Sequence, residues 1–457
     1  MPKQKTVKSG RYSRYLNQYS ELLSYLSNQG NSIDLSLRNE AIQEFNKTGF
    51  PTSLRGNEAW KFTNVNPIAN HDFEFSFKEN HHEISLEILQ SIAPWSDDWD
   101  TITFVNGQFC QQLSKNQNPK IVIKNIASDK THSSLGKHAD FKTNGFIAAN
   151  TAFLNQGAEV ILPKNYEAKT PINIVNVSVC QNPALVVYPR TLIIMEPNSS
   201  ASIIESYVST NTDTQFTNAV SEISVERGSK LYHHRLLLEN SSTFHIGSTV
   251  VDQKQDSFFQ TISYSEGAKV ARNDLLVRLN EPGARCDVRG LYFTEQNRHI
   301  DNHIDVDHAS HHTYSKQHFK GILADKSRAV FSGRTLIQQH AQKSEALQSD
   351  KNLILSKGAR INTKPSLEIY ADDIQAAHGA TAGAIPDDQI MYMLARGLDM
   401  ETATSFLIQG FANEIIDSIS LEGFKQYLLN HFESSMPKFR FQGFGKGKVF
   451  GGPADRV

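Results

Sequence analysis

The chain has 457 residues, with 46 Lys and Arg against 48 Asp and Glu, and 39% of it is hydrophobic. Near-neutral charge provides no global field for nucleic acid or an anionic membrane surface, while the apolar content supplies a large core. Cys110, Cys180 and Cys286 are too scattered for a disulfide framework or a thiolate metal site, and they fit a reducing compartment.

No apolar run reaches the roughly 18–20 residues of a membrane span. The basic start "MPKQKTVKSGRYSR" leads into no hydrophobic signal segment, so a cytoplasmic location is expected. Helical spacing comes first in the chain. Tyr15, Leu16, Tyr19, Leu22, Leu23 and Leu26 recur at three- and four-residue steps, with Gly30 as the stop. A second helix follows, with Asp34 as its cap, Leu37, Ala41 and Phe45 on one face, and Gly49 and Pro51 beyond its end. "ISLEILQSIA" predicts a third, short helix.

From about residue 100 to 375 the period changes to two. Runs such as "ASIIESYVS", "KLYHHRLLLE", "DLLVRLN" and "RGLYFTE" are strands with alternating faces. Small-residue turns lead into strands at 157, 199, 228, 267, 283 and 358, at unequal intervals. So many short strands exceed one sandwich and suit a β-solenoid, in which each coil buries its inner face on its neighbours. A long barrel or two sandwiches are the competing architectures. Helical spacing returns at Pro386-Asp387-Asp388 with Ile390, Met393 and Leu394, stops at Gly397, and resumes from Asp399 through Ile415 and from Leu421 to Leu428. The end, "PKFRFQGFGKGKVFGGPADRV", is a basic Gly- and Phe-rich tail without a period.

Nucleotide motifs are missing: there is neither a GxxxxGK[ST] run nor a strand-linked GxGxxG, and no GxSxG or HExxH. The densest chemical stretch, "RHIDNHIDVDHASHHTYSKQH", holds His299, His303, His308, His311, His312 and His318. Imidazole and carboxylate are good metal ligands, which makes His303, His308 and His311 weak metal candidates. Strand alternation works against them, because it divides the set between two faces. His378 stands apart in "DIQAAHGATAG", placed by the pattern in the connection between the strands and the last helices. Its plainer role is structural, bonding a loop carbonyl. A neutral imidazole among small neighbours is also able to serve as ligand or proton carrier. Trp60 and the lone cysteines are expected to be packing residues.

Several long segments carry a family resemblance. "NEAWKFTNVNP", "FIAANTAFLNQGAEVILPKN", "PRTLIIMEPNSSASIIESY", "DNHIDVDHASHHTYSKQHFKGIL", "NTKPSLEIYADDIQAAHGATAG" and "DDQIMYMLARGLDMETATSFLIQGFANEII" resemble, in one order, segments of the SufD proteins. These are the D subunits of the Suf iron–sulfur cluster assembly scaffold, and the likeness runs over roughly residues 12–430. It implies a right-handed parallel β-helix over residues 96–380, between a helical N-terminal domain at 1–95 and a helical ATPase-docking domain at 381–432, with the tail at 433–457.

It further implies a subunit without catalytic turnover. Such a subunit pairs with a B-subunit paralogue through the β-helix and docks an ABC-type ATPase, the C subunit, which holds the ATP. The resemblance places a transient iron–sulfur cluster at the interface with the B subunit and none on this chain alone, and it admits a flavin in the complex and a homodimer of the isolated chain. It assigns His378 to that interface. The family's usual cysteine position is Ala376 here, so this chain offers no thiolate there. For ATPase docking it points to Arg396, Gly397, Phe406, Gly410 and Phe411. Two other readings compete on residues alone: a solenoid enzyme acting on carbohydrate, for which only Asp372 and Asp373 stand as a carboxylate pair, and a histidine-rich metal-delivery protein.

Overall fold

The computed structural model describes residues 13–27, 33–51, 57–77, 84–128, 132–179 and 184–435. Gly30, Cys180 and most of the basic tail lie outside them. Two largely parallel sheets, of 11 and 10 strands, face each other, and the chain alternates between them. From Arg190–Met195 and Ser200–Ser209 to Arg360–Ile369 and Ile374–Gly383 this makes seven successive coils of a β-solenoid. Phe216, Phe244, Val270, His299, Arg328 and Arg360 stack in register along the first sheet. The steps between those positions are unequal because corner loops differ in length while the strands do not. The turns at 199, 228 and 283 open second-sheet strands and those at 267 and 358 open first-sheet strands, so whole and half coils mix in the sequence spacing.

Alternation sorts the side chains. In Lys230–Leu238, Leu231 and Leu237 enter the lumen, where they join Ile203, Phe259, Cys286 and Phe319. Leu236 faces outward, yet it is also buried, because a helical layer covers that face. The first sheet is covered by the N-terminal part: Tyr15, Phe45, Phe50, Trp60, Phe146 and Phe153 pack on Val186, Phe216 and Val250. The second sheet is covered by the C-terminal helices, whose Ile408, Ile415, Leu428 and Phe432 meet Leu236, Ile262, Leu291 and Phe293. Burial on both faces explains the near-continuous apolar runs.

Side chains cap the helix starts, at Asp34 as expected. Asp34 accepts from Ser36 N before helix Leu35–Thr48, and Gly49 closes that helix at φ 61°. Ser85 caps Leu86–Ile92, and Asp399 caps Met400–Ile416. Trp60 is buried at the junction, under the Arg272 guanidinium at 3.8 Å and beside Phe146. Cys286 is buried in the lumen, whereas Cys110 is only partly covered.

One end of the coil begins with short antiparallel strands. Val122–Asn125 borders Ala158–Leu162 in the first sheet, and Gln108–Phe109 borders Asp100–Val105 in the second. At the other end the sheets stop at Arg360–Ile369 and Ile374–Gly383, each paired on one side only among the described residues. Along one edge of the coil, corners turn through left-handed residues at Asn198, Gly228, Asp256 and Gly283. A Cβ on Gly283 (φ 74°) would overlap Asp256 Oδ1 of the coil before it. Gly283→Val therefore combines a strained φ with a clash, and it is expected to lower unfolding free energy by about 2–4 kcal/mol in urea titration. Replacement with no measurable loss would contradict the stacked corner.

Candidate functional site at the open end of the solenoid

The structure corrects the expected setting of His378. It lies within the terminal strand Ile374–Gly383, where the pattern had suggested a connection. Alanines and glycines hid the strand by removing the alternation of apolar and polar residues. Pairing with Ser344–Ile354 sets Ala346 opposite Ala376, Gln348 opposite His378, Asp350 opposite Ala380 and Asn352 opposite Ala382. Ala346, Gln348, Asp350 and Asn352 are all buried in the lumen, so His378 belongs to a lumen-facing column at the mouth of the coil. His378 itself is exposed, and Gly379 and Gly383 are so open that an added Cβ would meet nothing within 4 Å. Ala376 packs with Ala346 and Ile337.

Beneath this rim lies a polar floor. Tyr292 Oη donates to Asn352 Oδ1 at 2.5 Å, and Asn352 Nδ2 donates to Asp350 at 2.8 Å. Burial pushes the Asp350 carboxyl up to about 6. A second polar group lies deeper in the lumen. There Glu205 accepts from Thr191, Tyr207 and Ser221 and meets His233 Nε2 at 3.2 Å. Burial opposes its charge, but His233, Arg235 and Thr191 outweigh that and hold the carboxyl down at about 2. Glu205 was missed by the sequence reading because a carboxylate within a strand pattern resembles a solvent-facing one.

The proposed metal trio does not assemble. His303 is on the outer face of the first sheet, 3.8 Å from Asp305. His308 points into the lumen and bonds Thr313 and Ser315 at 2.7 and 2.8 Å. His311 is exposed at a corner beside His312, whose φ of 56° makes it a turn residue. Among the described residues no three His, Cys, Asp or Glu side chains converge to hold a metal ion. Strand alternation is the physical reason.

The C-terminal helices Asp387–Ala395 and Met400–Ile416 present a second surface. Phe406 is 51% exposed, and Gly410, one turn on, has open space above it. Arg396 lies over the Tyr392 ring at 4.6 Å, and Gly397 makes the turn at φ 89°. Phe411 differs from expectation, because it turns inward. Lys320 Nζ sits 4.2 Å over its ring, donates to its carbonyl at 2.8 Å and pairs with Glu414, pinning the helix to the sheet. Met391, Tyr392 and Met400 are also exposed and were not anticipated. Their signal was present: Met391 and Tyr392 are apolar yet lie off the Ile390–Leu394 stripe.

With the geometry in place, comparison with known proteins gives the family. Residues 10–174 match the family described as SufBD protein N-terminal region, and residues 178–411 match SUF system FeS cluster assembly, SufBD core domain. The chain belongs to the SufBD family of iron–sulfur cluster assembly proteins. Similar relatives include an iron–sulfur cluster assembly SufBD family protein of Synechocystis sp., 32% identical over 80% of this chain and 83% of that protein. Two others are named iron–sulfur cluster assembly protein SufD. That of Escherichia coli is 27% identical over 87% of this chain and 92% of its own length, and that of Bacillus subtilis is 26% identical over 82% and 87%. Within the family, the resemblance is to SufD. No described helix is long and apolar enough to cross a membrane.

Asp350 supplies a pH test of the floor. Its folded carboxyl holds a proton more tightly than the unfolded one, so the native state binds more protons between about pH 4 and 6. Stability therefore falls as pH rises through that window and stays lower above it. Asp350→Asn is expected to stabilise the fold at pH 8 by up to about 3 kcal/mol, with the difference closing toward pH 4. Urea unfolding at pH 4, 6 and 8 checks this, and a pH-independent effect would contradict a buried neutral carboxyl.

Proposed function

We propose that this chain is a non-catalytic scaffold subunit whose open solenoid end pairs with the coil of a B-type paralogue. Its C-terminal helices then dock an ABC-type ATPase. The carrying observation is the pair of ten-residue terminal strands, each with one edge unpaired among the described residues and with an exposed His378 on the last. Unpaired N–H and C=O groups along such an edge favour addition of another strand. Exposed Ile369 and Tyr370 beside it supply apolar contact.

In this reading the nascent iron–sulfur cluster is cargo assembled at the junction of the two coils. His378 contributes an imidazole, and Ala376 contributes no thiolate, so thiolate ligation falls to the partner. ATP is bound and hydrolysed by the ATPase, in keeping with a sequence that has no phosphate-binding loop. Exposed Tyr392, Met391, Met400 and Phe406 form the docking surface, with Gly410 letting another backbone approach. A flavin, where the complex binds one, has no residue assigned on this chain.

Co-expression of the tagged chain with its B-type and ATPase partners tests the reading. Wild type is expected to yield a stable assembly containing iron. His378→Ala is expected to keep the subunits and lose most of the iron, whereas unchanged iron would make His378 structural. Phe406→Asp is expected to release the ATPase at least tenfold more readily while the other partner stays bound and the melting temperature holds. Retention of the ATPase by that variant would remove the docking surface from the helices.

A further inference from the structure

Four parallel strands place Val288, Gln317, Gln348 and His378 in one lumen-facing column. Gln317 Nε2 donates to Thr335 Oγ1 at 3.0 Å, and Gln348 Nε2 donates to Gln317 Oε1 at 3.0 Å. The chain of amides runs toward the open end and stops at Gln348 Oε1, which is buried and has no hydrogen-bond partner among the described residues. Gln348 is only 5% exposed, and its amide lies against Gly333, where any Cβ would overlap Nε2. Its orientation is thus fixed from below by Gln317 and from the side by the glycine. The next residue in the column is His378, one strand away at about 4.8 Å between backbones.

A buried carbonyl oxygen without a donor is costly, and the next side chain in the column carries a ring N–H. The flanking Ala376, Ala380 and Ala382 share the face and carry no side chain beyond Cβ. We propose that Gln348 is the positioning residue for His378: its Oε1 accepts one imidazole N–H, which fixes the tautomer and directs the other ring nitrogen, unprotonated, out of the mouth of the coil. The locked amide chain gives this acceptor a set direction, so the imidazole is oriented before any partner arrives. Orientation of a functional histidine through its second nitrogen is a general device at sites that hold metals or move protons. Its use here rests on the role of His378 proposed above.

The test separates the two ideas. On the isolated full chain with ¹⁵N-labelled histidine, the ring shifts of His378, assigned by their loss in His378→Ala, are expected to show one neutral tautomer dominating by at least fivefold. Gln348→Met is expected to return the ring to a mixture, and Gln348→Glu, which keeps an acceptor oxygen, to restore one tautomer. A mixture in wild type overturns the proposal without any variant, as does a single tautomer that survives in Gln348→Met. Iron in the co-purified assembly reads the other question. Loss in Gln348→Met with recovery in Gln348→Glu supports positioning for function, whereas a fixed tautomer with iron unchanged in His378→Ala leaves the hydrogen bond standing and sinks the functional role of the histidine.

Discussion

Backbone hydrogen bonding between successive parallel coils is the constraint on which the molecule depends. Each inner strand satisfies its amides on the strand one coil before and one coil after, so no coil is complete alone. That requirement fixes register, and register decides which side chains enter the lumen. Leu231, Phe259 and Phe319 enter as core, while Glu205, Gln348 and Asp350 enter as polar groups that must find partners inside. The helical layers then close the outer faces, because alternation also places apolar residues there.

Much of this was legible in the sequence. Two-residue periodicity marked the strands, caps at Asp34 and Asp399 marked helix starts, and long family-like segments fixed the order of parts. What stayed hidden follows from what a linear pattern omits. From Gln375 to Gly383 the last strand has one β-branched residue, Thr381, and no Phe, Tyr or Trp, so His378 looked like part of a loop. Its strand character comes from pairing with Ser344–Ile354, a tertiary effect. The histidine-rich stretch shows the reverse case. Composition suggested convergence, but alternate residues face opposite sides, and His308 became a satisfied lumen group while His303 faced outward. Phe411 and Phe406 are equally apolar in sequence, and packing against the second-sheet cluster with the Lys320 cation over its ring sets the inward Phe411 apart from the outward Phe406.

The two candidate surfaces are mechanically connected. Helix Met400–Ile416 is held to the second sheet by apolar packing and by the Lys320–Glu414 pair, and Lys320 lies on a strand two positions from the terminal one in that sheet. A force applied at Phe406 thus reaches the strand stack that ends at His378 through close-packed contacts and in-register hydrogen bonds. Successive coils are bonded to one another along most of each strand, which gives such a load a continuous path along the axis.

The ends of the coil differ, and that difference sets a limit on assembly size. Antiparallel segments at Gln108–Phe109 and Val122–Asn125 obstruct the beginning of both sheets, while no strand among the described residues covers the far end. A rod able to stick at both tips would grow into a fibre; this one has a valence of one along its axis. In the proposed end-to-end pairing that valence is used up, and growth stops at the pair.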